Sequence, residues 1–490
     1  MKKLKFYTKS VLIIAILFAF VSCAVNPVTG KKQLMLMSES QEVQLGMSYD
    51  PQVVATFGEY KNDQLLTFLQ TNLNAMGLIS HRPNLKYHIK ILDSPVVNAF
   101  AVPGGYIYLT RGILAQLNNE AELMGVIGHE MGHITARHSA SQQSKQQLGQ
   151  LLLIGGMIAS EKFAQYAEMA MQGMQLLFLK FSRDNEREAD ALGVEYSSKI
   201  NYDAGKMADF FQVLEKMNME ENVGGVPTFL STHPDPGDRY NSVKQSAAAW
   251  QTELSDINSL WKVNADNYLR LIDGIIYGED PRQGYTEGTT FYHPELRFRF
   301  TYPTGWKYEN LPTQVNMGPP DGKAILIFTF ASQNNLQAAV DNTIQELGLT
   351  LQERMNTTVN GLPAIATVSM QVVQDQSTGA QAANMVLSYF IQHNNSCYVF
   401  HGVSSEADFK TYFPYLESSM KTFSNLTDAS KINVRPDKVL IKKVVRTGTL
   451  ADAFNYYGVR ADKRNELALL NNMELTDRVA AGKLIKIIGK

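Results

Sequence analysis

The sequence predicts a multidomain chain: a mainly α-helical domain with a small β-sheet, then an α+β domain, then a small α/β tail. Three observations predict it. Leu123, Val126, Ile127, Met131 and Ile134 recur at the period of one helix face. The alternating runs Leu296-Arg297-Phe298-Arg299-Phe300 and Ile325-Leu326-Ile327-Phe328-Thr329-Phe330 read as strands. Turn signals such as Tyr302-Pro303-Thr304-Gly305 part them. The length, 490 residues, suits roughly two to four domains. The segments expected are 1–22 (a cleaved leader), 23–40 (a polar, turn-rich tether), 41–255 (helical, holding the chemistry), 285–425 (α+β) and 434–490 (the tail).

Hydrophobic residues make up 44% of the chain, enough for a real core, and the net charge is -2. A near-neutral balance with no long block of like charge excludes a basic nucleic-acid footprint, so no nucleic-acid partner is expected. Function therefore has to be read from local chemistry.

At the N-terminus, Lys2, Lys3 and Lys5 precede an unbroken apolar run over 11–21. A membrane span needs roughly 20 such residues, so the run fits the core of a signal peptide. Phe20-Val21-Ser22-Cys23 resembles a bacterial lipobox, which implies cleavage before Cys23 and a lipid on it. An ordinary secretory signal with an incidental cysteine fits the same residues. Each buried methylene of such a lipid stabilises membrane attachment by roughly 0.8 kcal/mol. The only other cysteine is Cys397, so no disulfide framework is indicated. Ala24 stands where an aspartate is associated with inner-membrane retention. The expectation is a lipid anchor in the cell envelope, in the outer membrane and facing the periplasm.

The chemistry begins at Asn118-Asn119-Glu120-Ala121-Glu122, a helix start in which Asn119 caps and Glu122 completes a capping box. On that helix lies His129-Glu130-Met131-Gly132-His133. Residues four apart share a helix face, so both imidazoles reach one ion. Zinc accepts neutral imidazoles tetrahedrally. Glu130 lies about 100° round from His129, close enough to take a proton from an attacking water without being a ligand. A catalytic zinc needs a third ligand and an open fourth position. The segment Ser182-Arg183-Asp184-Asn185-Glu186-Arg187-Glu188-Ala189-Asp190 also reads as a helix, with Glu186 and Asp190 one turn apart. Glu186 can serve as ligand and Asp190 can accept the N–H of a ligand imidazole. Glu188 falls on another face and is expected in solvent. From spacing alone, a charged, solvent-facing helix is the commoner case for such a pattern.

Four motifs together resemble the gluzincin family that includes HtpX, BepA and the CAAX prenyl proteases. They are Asn98-Ala99-Phe100-Ala101-Val102-Pro103-Gly104-Gly105, the run 129–133 continued to His138, the run 182–190, and Ser231-Thr232-His233-Pro234-Asp235-Pro236-Gly237-Asp238-Arg239. The similarity runs from the turn-rich Asn26-Pro27-Val28-Thr29-Gly30 to about residue 239. It implies a zinc metalloendopeptidase with one Zn2+ per chain, bound by His129, His133 and Glu186. It also implies that Asn98, with Ala99 and Phe100, holds the substrate backbone, and that His233 lies near the zinc. His233 then either stabilises the oxyanion or fills the fourth zinc position at rest. Arg239 pairs with the oxyanion or with a carboxylate. Read from the residues alone, 98–109 is a hairpin whose exposed edge can accept a peptide by strand addition, or an ordinary core hairpin. His-Pro-Asp-Pro is then only a rigid turn. The Leu- and Met-rich stretch 143–180 is expected as a helical pair over the cleft, either a mobile lid or a packed hairpin.

Further on, Tyr302-Pro303-Thr304-Gly305-Trp306 resembles small α+β domains of the PsbP or Mog1 type. The tail resembles a LysM module through Gly448-Thr449-Leu450, Ala453, Tyr457-Gly458-Val459, Leu467-Ala468-Leu469-Leu470-Asn471 and Gly482-Lys483-Leu484-Ile485-Lys486-Ile487. That likeness implies peptidoglycan as a candidate partner. The expected function is hydrolysis of unfolded or misassembled envelope polypeptides. The alternatives are a lipid-anchored chaperone or scaffold with a largely latent zinc site, and a peptidoglycan-associated binding protein.

Overall fold

The computed structural model describes residues 23–144, 181–219, 229, 233, 238–255, 260–311, 313–374 and 381–490. The expected leader, all but the first two residues of the expected lid, and most of the 231–237 turn fall outside the described residues. Two compact units form. One comprises Met1–Val54, Gly58–Gly278 and Asp437–Lys490, the other Ala55–Phe57 and Glu279–Pro436.

The first unit opens on a short antiparallel hairpin, β1 (Cys23–Val25) with β2 (Lys32–Leu34). Residues 23–40, expected as a tether, are docked. Gln33 donates to the Ala136 carbonyl, the Leu36 N–H to Ser144 Oγ, and Arg137 to the Met37 carbonyl. Polar backbone that a free tether would leave to water is paired with side chains and carbonyls of the chain. Two helices follow, α1 (Glu39–Phe57), with a Ser38–Gln41 capping box, and α2 (Asp63–Ile79), capped by Asn62.

Next come β3 (His88–Leu92), β4 (Ala99–Val102) and β5 (Tyr106–Thr110). The sheet order is β3-β5-β4, with β3 parallel and β4 antiparallel to β5. The Pro-Gly-Gly turn joins β4 to β5 with φ of 85° at Gly104 and 100° at Gly105. A Cβ on Gly105 would stand 2.2 Å from the Lys86 carbonyl oxygen, so only glycine closes this turn.

The helices α3 (Arg111–Gln116) and α4 (Glu120–Thr135) come next, and every residue of α4 is buried. Asn119 caps α4 by accepting from the Glu122 N–H at 2.8 Å. Glu122 returns to the Asn119 amide and the Asn118 N–H, both at 2.7 Å, so the reciprocal bond lands one residue earlier than a capping box places it. Across α4 lies α5 (Arg183–Lys199). At their crossing, a Cβ on Gly128 would sit 2.9 Å from the Gly193 carbonyl oxygen. Glycine on both helices lets the backbones meet, which brings the start of α5 over the histidines of α4. The helices α6 (Lys206–Met219), α7 (Arg239–Glu253) and α8 (Ala265–Leu271) complete the shell.

The tail belongs to this same unit. Its outer strands, Lys438–Lys443 and Leu484–Gly489, pair antiparallel around helices Leu450–Tyr456 and Arg464–Leu470. Val439, Leu469 and Leu484 join the core built on Leu123, Val126 and Ile127. Lys486 is fully buried and donates to the carbonyls of Ala115, Gln116 and Leu117 at 2.8, 3.2 and 3.0 Å.

The second unit is sheet-rich. A seven-stranded antiparallel sheet runs in the order Thr350–Val359, Leu362–Gln374, Gln381–His393, Ser396–Ser405, Ala324–Phe330, Gln314–Gly318, Lys307–Asn310. A four-stranded sheet and the helices Leu336–Glu346 and Glu406–Met420 accompany it. Phe298, Phe300, Phe328 and Phe400 fill its core. The strand expected at 296–300 begins at Phe298, because Arg297 turns the chain at φ 59°. Among the described residues, no helix is long and apolar enough to cross a membrane.

Candidate metal centre

His129 and His133 project from one face of α4, and Glu186 from the first turn of α5, whose start Ser182 caps. The fourth member is His233. His129 Nε2 lies 3.1 Å from His133 Nε2 and 3.2 Å from His233 Nδ1. Glu186 Oε1 stands 3.2 Å from His233 Nδ1 and 3.5 Å from His133 Nε2, while its Oε2 is 3.6 Å from His129 Nε2. Zinc–nitrogen bonds of about 2.0–2.1 Å in a tetrahedron place donor atoms about 3.3 Å apart. The separations bracket that edge, so these four side chains fit one zinc ion, with His233 Nδ1 at the fourth corner.

Outer partners fix the ligands. His129 Nδ1 lies 2.9 Å from Asp190 Oδ1, which leaves Nε2 free to face an ion. Asp190 is itself gripped by Arg239, with Nη2 to Oδ1 at 2.6 Å and Nε to Oδ2 at 2.8 Å. Arg239 Nη2 also stands 3.7 Å from Glu186 Oε2. Burial alone would push the Asp190 carboxyl up, but Arg239 and His129 outweigh it and hold it down at about 2. Glu186 likewise ends below its ordinary value, since His233, His129 and Arg239 overcome its burial. Burial drives His133 well below its ordinary value, keeping the imidazole neutral as a metal ligand must be.

Glu130 is fully buried, and its burial raises the carboxyl pKa. Neither carboxyl oxygen has a hydrogen-bond partner among the described residues, and Oε1 is 3.7 Å from His233 Nε2. A buried carboxyl with open acceptor sites beside a metal site is placed to accept a proton. Phe229 stacks on His233 at 4.5 Å between ring centroids, and Phe181 on His133 at 4.0 Å. These rings wall off water. Neither was foreseen, since an isolated phenylalanine carries no motif.

The structure brings His129, Glu130, His133, Glu186, Asp190, His233 and Arg239 together. Asn98, Ala99 and Phe100 lie at the sheet edge, where β4 packs on α4. All four residues of β4 are buried, and the Phe229 N–H reaches the Val97 carbonyl at 3.3 Å. The side chains of β4 thus sit in the core, as the core-hairpin alternative for 98–109 expects. The Asn98 Oδ1 has no partner among the described residues. Glu188, expected in solvent, instead pairs with His138 at 3.2 Å. Cys23 opens β1, remote in sequence from all of these.

Residues 67–247 match Peptidase family M48. The chain is 29% identical over 221 residues to the β-barrel assembly-enhancing protease of Escherichia coli K12, covering 43% of this chain and 45% of that protein. It is 28% identical over 219 residues to the protein of that name in Yersinia pestis, with the same coverage. To the human mitochondrial metalloendopeptidase OMA1 it is 26% identical over 243 residues, 46% of each chain. The chain thus spans under half the length of these relatives. Among solved structures, the cyanobacterial PsbP of Synechocystis is similar at TM-score 0.22 and 9% identity, covering 29% of this chain and 94% of that one. Saccharomyces cerevisiae Mog1p is similar at TM-score 0.22 and 14% identity, covering 30% and 99%. His129, His133, Glu186 and His233 all lie within the segment that matches Peptidase family M48.

Proposed function

We propose that the protein is a zinc metalloendopeptidase that hydrolyses peptide bonds in unfolded or misassembled cell-envelope proteins, held at the membrane by a lipid on Cys23. The observation that carries this reading is the near-tetrahedral set of His129, His133, Glu186 and His233 beside the carboxyl of Glu130, which has no hydrogen bond among the described residues. The relatives named for β-barrel assembly support substrates among envelope proteins.

Zinc held there supplies a Lewis acid and makes water a nucleophile near neutral pH. Glu130 takes one proton from the attacking water as its oxygen bonds to the peptide carbonyl carbon. Glu130 then passes that proton to the amide nitrogen as the C–N bond breaks, and the second water proton, left on the new carboxyl, moves to the amine, so a carboxylate and an ammonium are released. Asp190 and Arg239 keep His129 in the tautomer that presents Nε2. His233 has two available roles: a fourth donor that closes the site at rest, or a donor to the developing oxyanion once it swings aside. Its position in the cluster favours the resting role. Asn98, with Ala99 and Phe100, would receive the substrate backbone.

The test is Glu130→Gln. The variant keeps one zinc per chain and loses casein hydrolysis by about 10²- to 10⁴-fold; unchanged hydrolysis overturns the reading. The placement of His233 in the cluster also favours a second reading, a lipid-anchored chaperone or scaffold whose zinc site is mostly latent. Equal rescue of a deletion strain by Glu130→Gln would support that one. The strand–helix–helix–strand order of 438–489 supports a LysM-like tail. Sedimentation of the full chain with purified peptidoglycan tests whether it binds glycan. For location, the reading is the outer membrane, with the domain facing the periplasm.

A further inference from the structure

His129 is steadied by Asp190 and Arg239, but the second histidine has its own support, and that support leads out of the catalytic segment. His133 Nδ1 lies 3.0 Å from His138 Nδ1. His138 Nε2 lies 3.2 Å from Glu188 Oε2. The other oxygen, Oε1, accepts from Asn26 Nδ2 at 3.2 Å, across 162 residues of sequence. His133, His138 and Asn26 are all buried.

The proton positions follow from the chemistry. Metal binding at His133 Nε2 puts the imidazole proton on Nδ1. That N–H donates to His138 Nδ1, so His138 carries its own proton on Nε2 and donates it to the Glu188 carboxylate. The Asn26 amide is oriented independently, since its Oδ1 accepts from the Val28 and Thr29 N–H groups at 2.8 and 3.2 Å. Its NH2 group is thereby aimed at Glu188. Every donor in the chain meets an acceptor, and the order ends on a negative charge that increases the electron density at His133. Such supports are worth about 10- to 100-fold in metal affinity.

We propose that His138 and Glu188 are positioning residues for the metal ligand His133, and that Asn26 ties the N-terminal hairpin into this relay, so the hairpin next to the anchor site helps set zinc affinity. The inference rests on the zinc reading above. Because Asn26 lies three residues beyond Cys23, a pull or rearrangement at the anchor is transmitted to the ligand through three hydrogen bonds.

The experiment is competition for zinc against a chromophoric chelator, using the full chain as wild type and as His133→Ala, His138→Leu, His138→Gln and Asn26→Asp. Circular dichroism of each zinc-free chain checks folding. Asp at position 26 keeps the oxygen that accepts from Val28 and Thr29 but removes the donor to Glu188, so the turn survives and the relay is cut. The expected result is one zinc in wild type, none in His133→Ala, affinity about 10- to 100-fold weaker in His138→Leu with partial recovery in His138→Gln, and about tenfold weaker in Asn26→Asp. Wild-type affinity in both His138→Leu and Asn26→Asp overturns the relay while leaving the zinc site standing. A loss in His138→Leu with none in Asn26→Asp overturns the link to the hairpin. A wild-type chain that takes no zinc overturns the metal reading and the relay with it.

Discussion

Lys486 offers a quantitative test of how the tail and the metal-bearing helix are joined. Its ammonium sits fully buried against three carbonyl oxygens, those of Ala115, Gln116 and Leu117. These lie at the C-terminal end of α3, where carbonyls lack intrahelical partners and a cation is favoured. Burial lowers the Lys486 pKa and raises that of Glu122, and each charge partly offsets the other's shift. Lys486→Met keeps the aliphatic stem and removes the charge and its donors. Each orphaned acceptor costs about 1–3 kcal/mol, and breaking a buried charged contact by removing one partner costs about 3–5 kcal/mol overall. Domain stability is about 5–15 kcal/mol, so the loss is a large share of it. The assay is urea unfolding in a Trp306→Phe background, where fluorescence reports Trp250 and Trp261 of the first unit alone. The expected loss is about 4 kcal/mol. Adding Glu122→Gln should cost less than it does alone, because the two charges are coupled. A loss below about 1 kcal/mol, within the range of an ordinary surface change, or strict additivity of the pair, would refute the reasoning.

Three further outcomes are expected. Asp190→Asn, which removes the charge held by Arg239 and His129, should weaken zinc binding about 10- to 100-fold in the chelator competition. Gly105→Ala, forced to φ 100° with its Cβ 2.2 Å from the Lys86 carbonyl oxygen, should destabilise the first unit by about 2 kcal/mol or more in the same urea assay. Burial pushes His293 and His401 down to about 4 from an ordinary value of 6.5. Both stay neutral in the folded second unit while the unfolded chain takes up protons, so they cost nothing above about pH 6.5 and destabilise the fold progressively as pH falls toward 4. Each should cost about 2 kcal/mol between pH 6.5 and 5, and His401→Gln should flatten the acid limb of the thermal-unfolding curve.

The legible part of the molecule was what local spacing determines. The face shared by His129 and His133 follows from helical period alone, and the strand read from alternation over 325–330 is present, one residue longer at Ala324. Glu186 and Asp190 were readable as one-turn neighbours, but a solvent-facing helix satisfied the same pattern. What separates the two is the Gly128–Gly193 crossing, which depends on the pairing of α4 with α5. Glu188 was misread for a related reason: its face meets His138 and Asn26, and the latter is 162 positions away. Nothing local to Leu484-Ile485-Lys486-Ile487 marks Lys486 as buried, and carbonyls about 370 positions earlier in the chain make its burial tolerable. Long-range polar partners leave no periodic trace, which is why the outer supports of the site and the seat of the tail emerged only in three dimensions.

The central claim, that His129, His133, Glu186 and His233 converge on one zinc, is tested most directly by X-ray absorption at the zinc edge of the purified chain. The account predicts a four-coordinate ion with three imidazole nitrogens and one carboxylate oxygen at about 2.0–2.2 Å, and the loss of one imidazole in His233→Ala. A six-coordinate oxygen-rich ion, or a spectrum unchanged by His233→Ala, would contradict it.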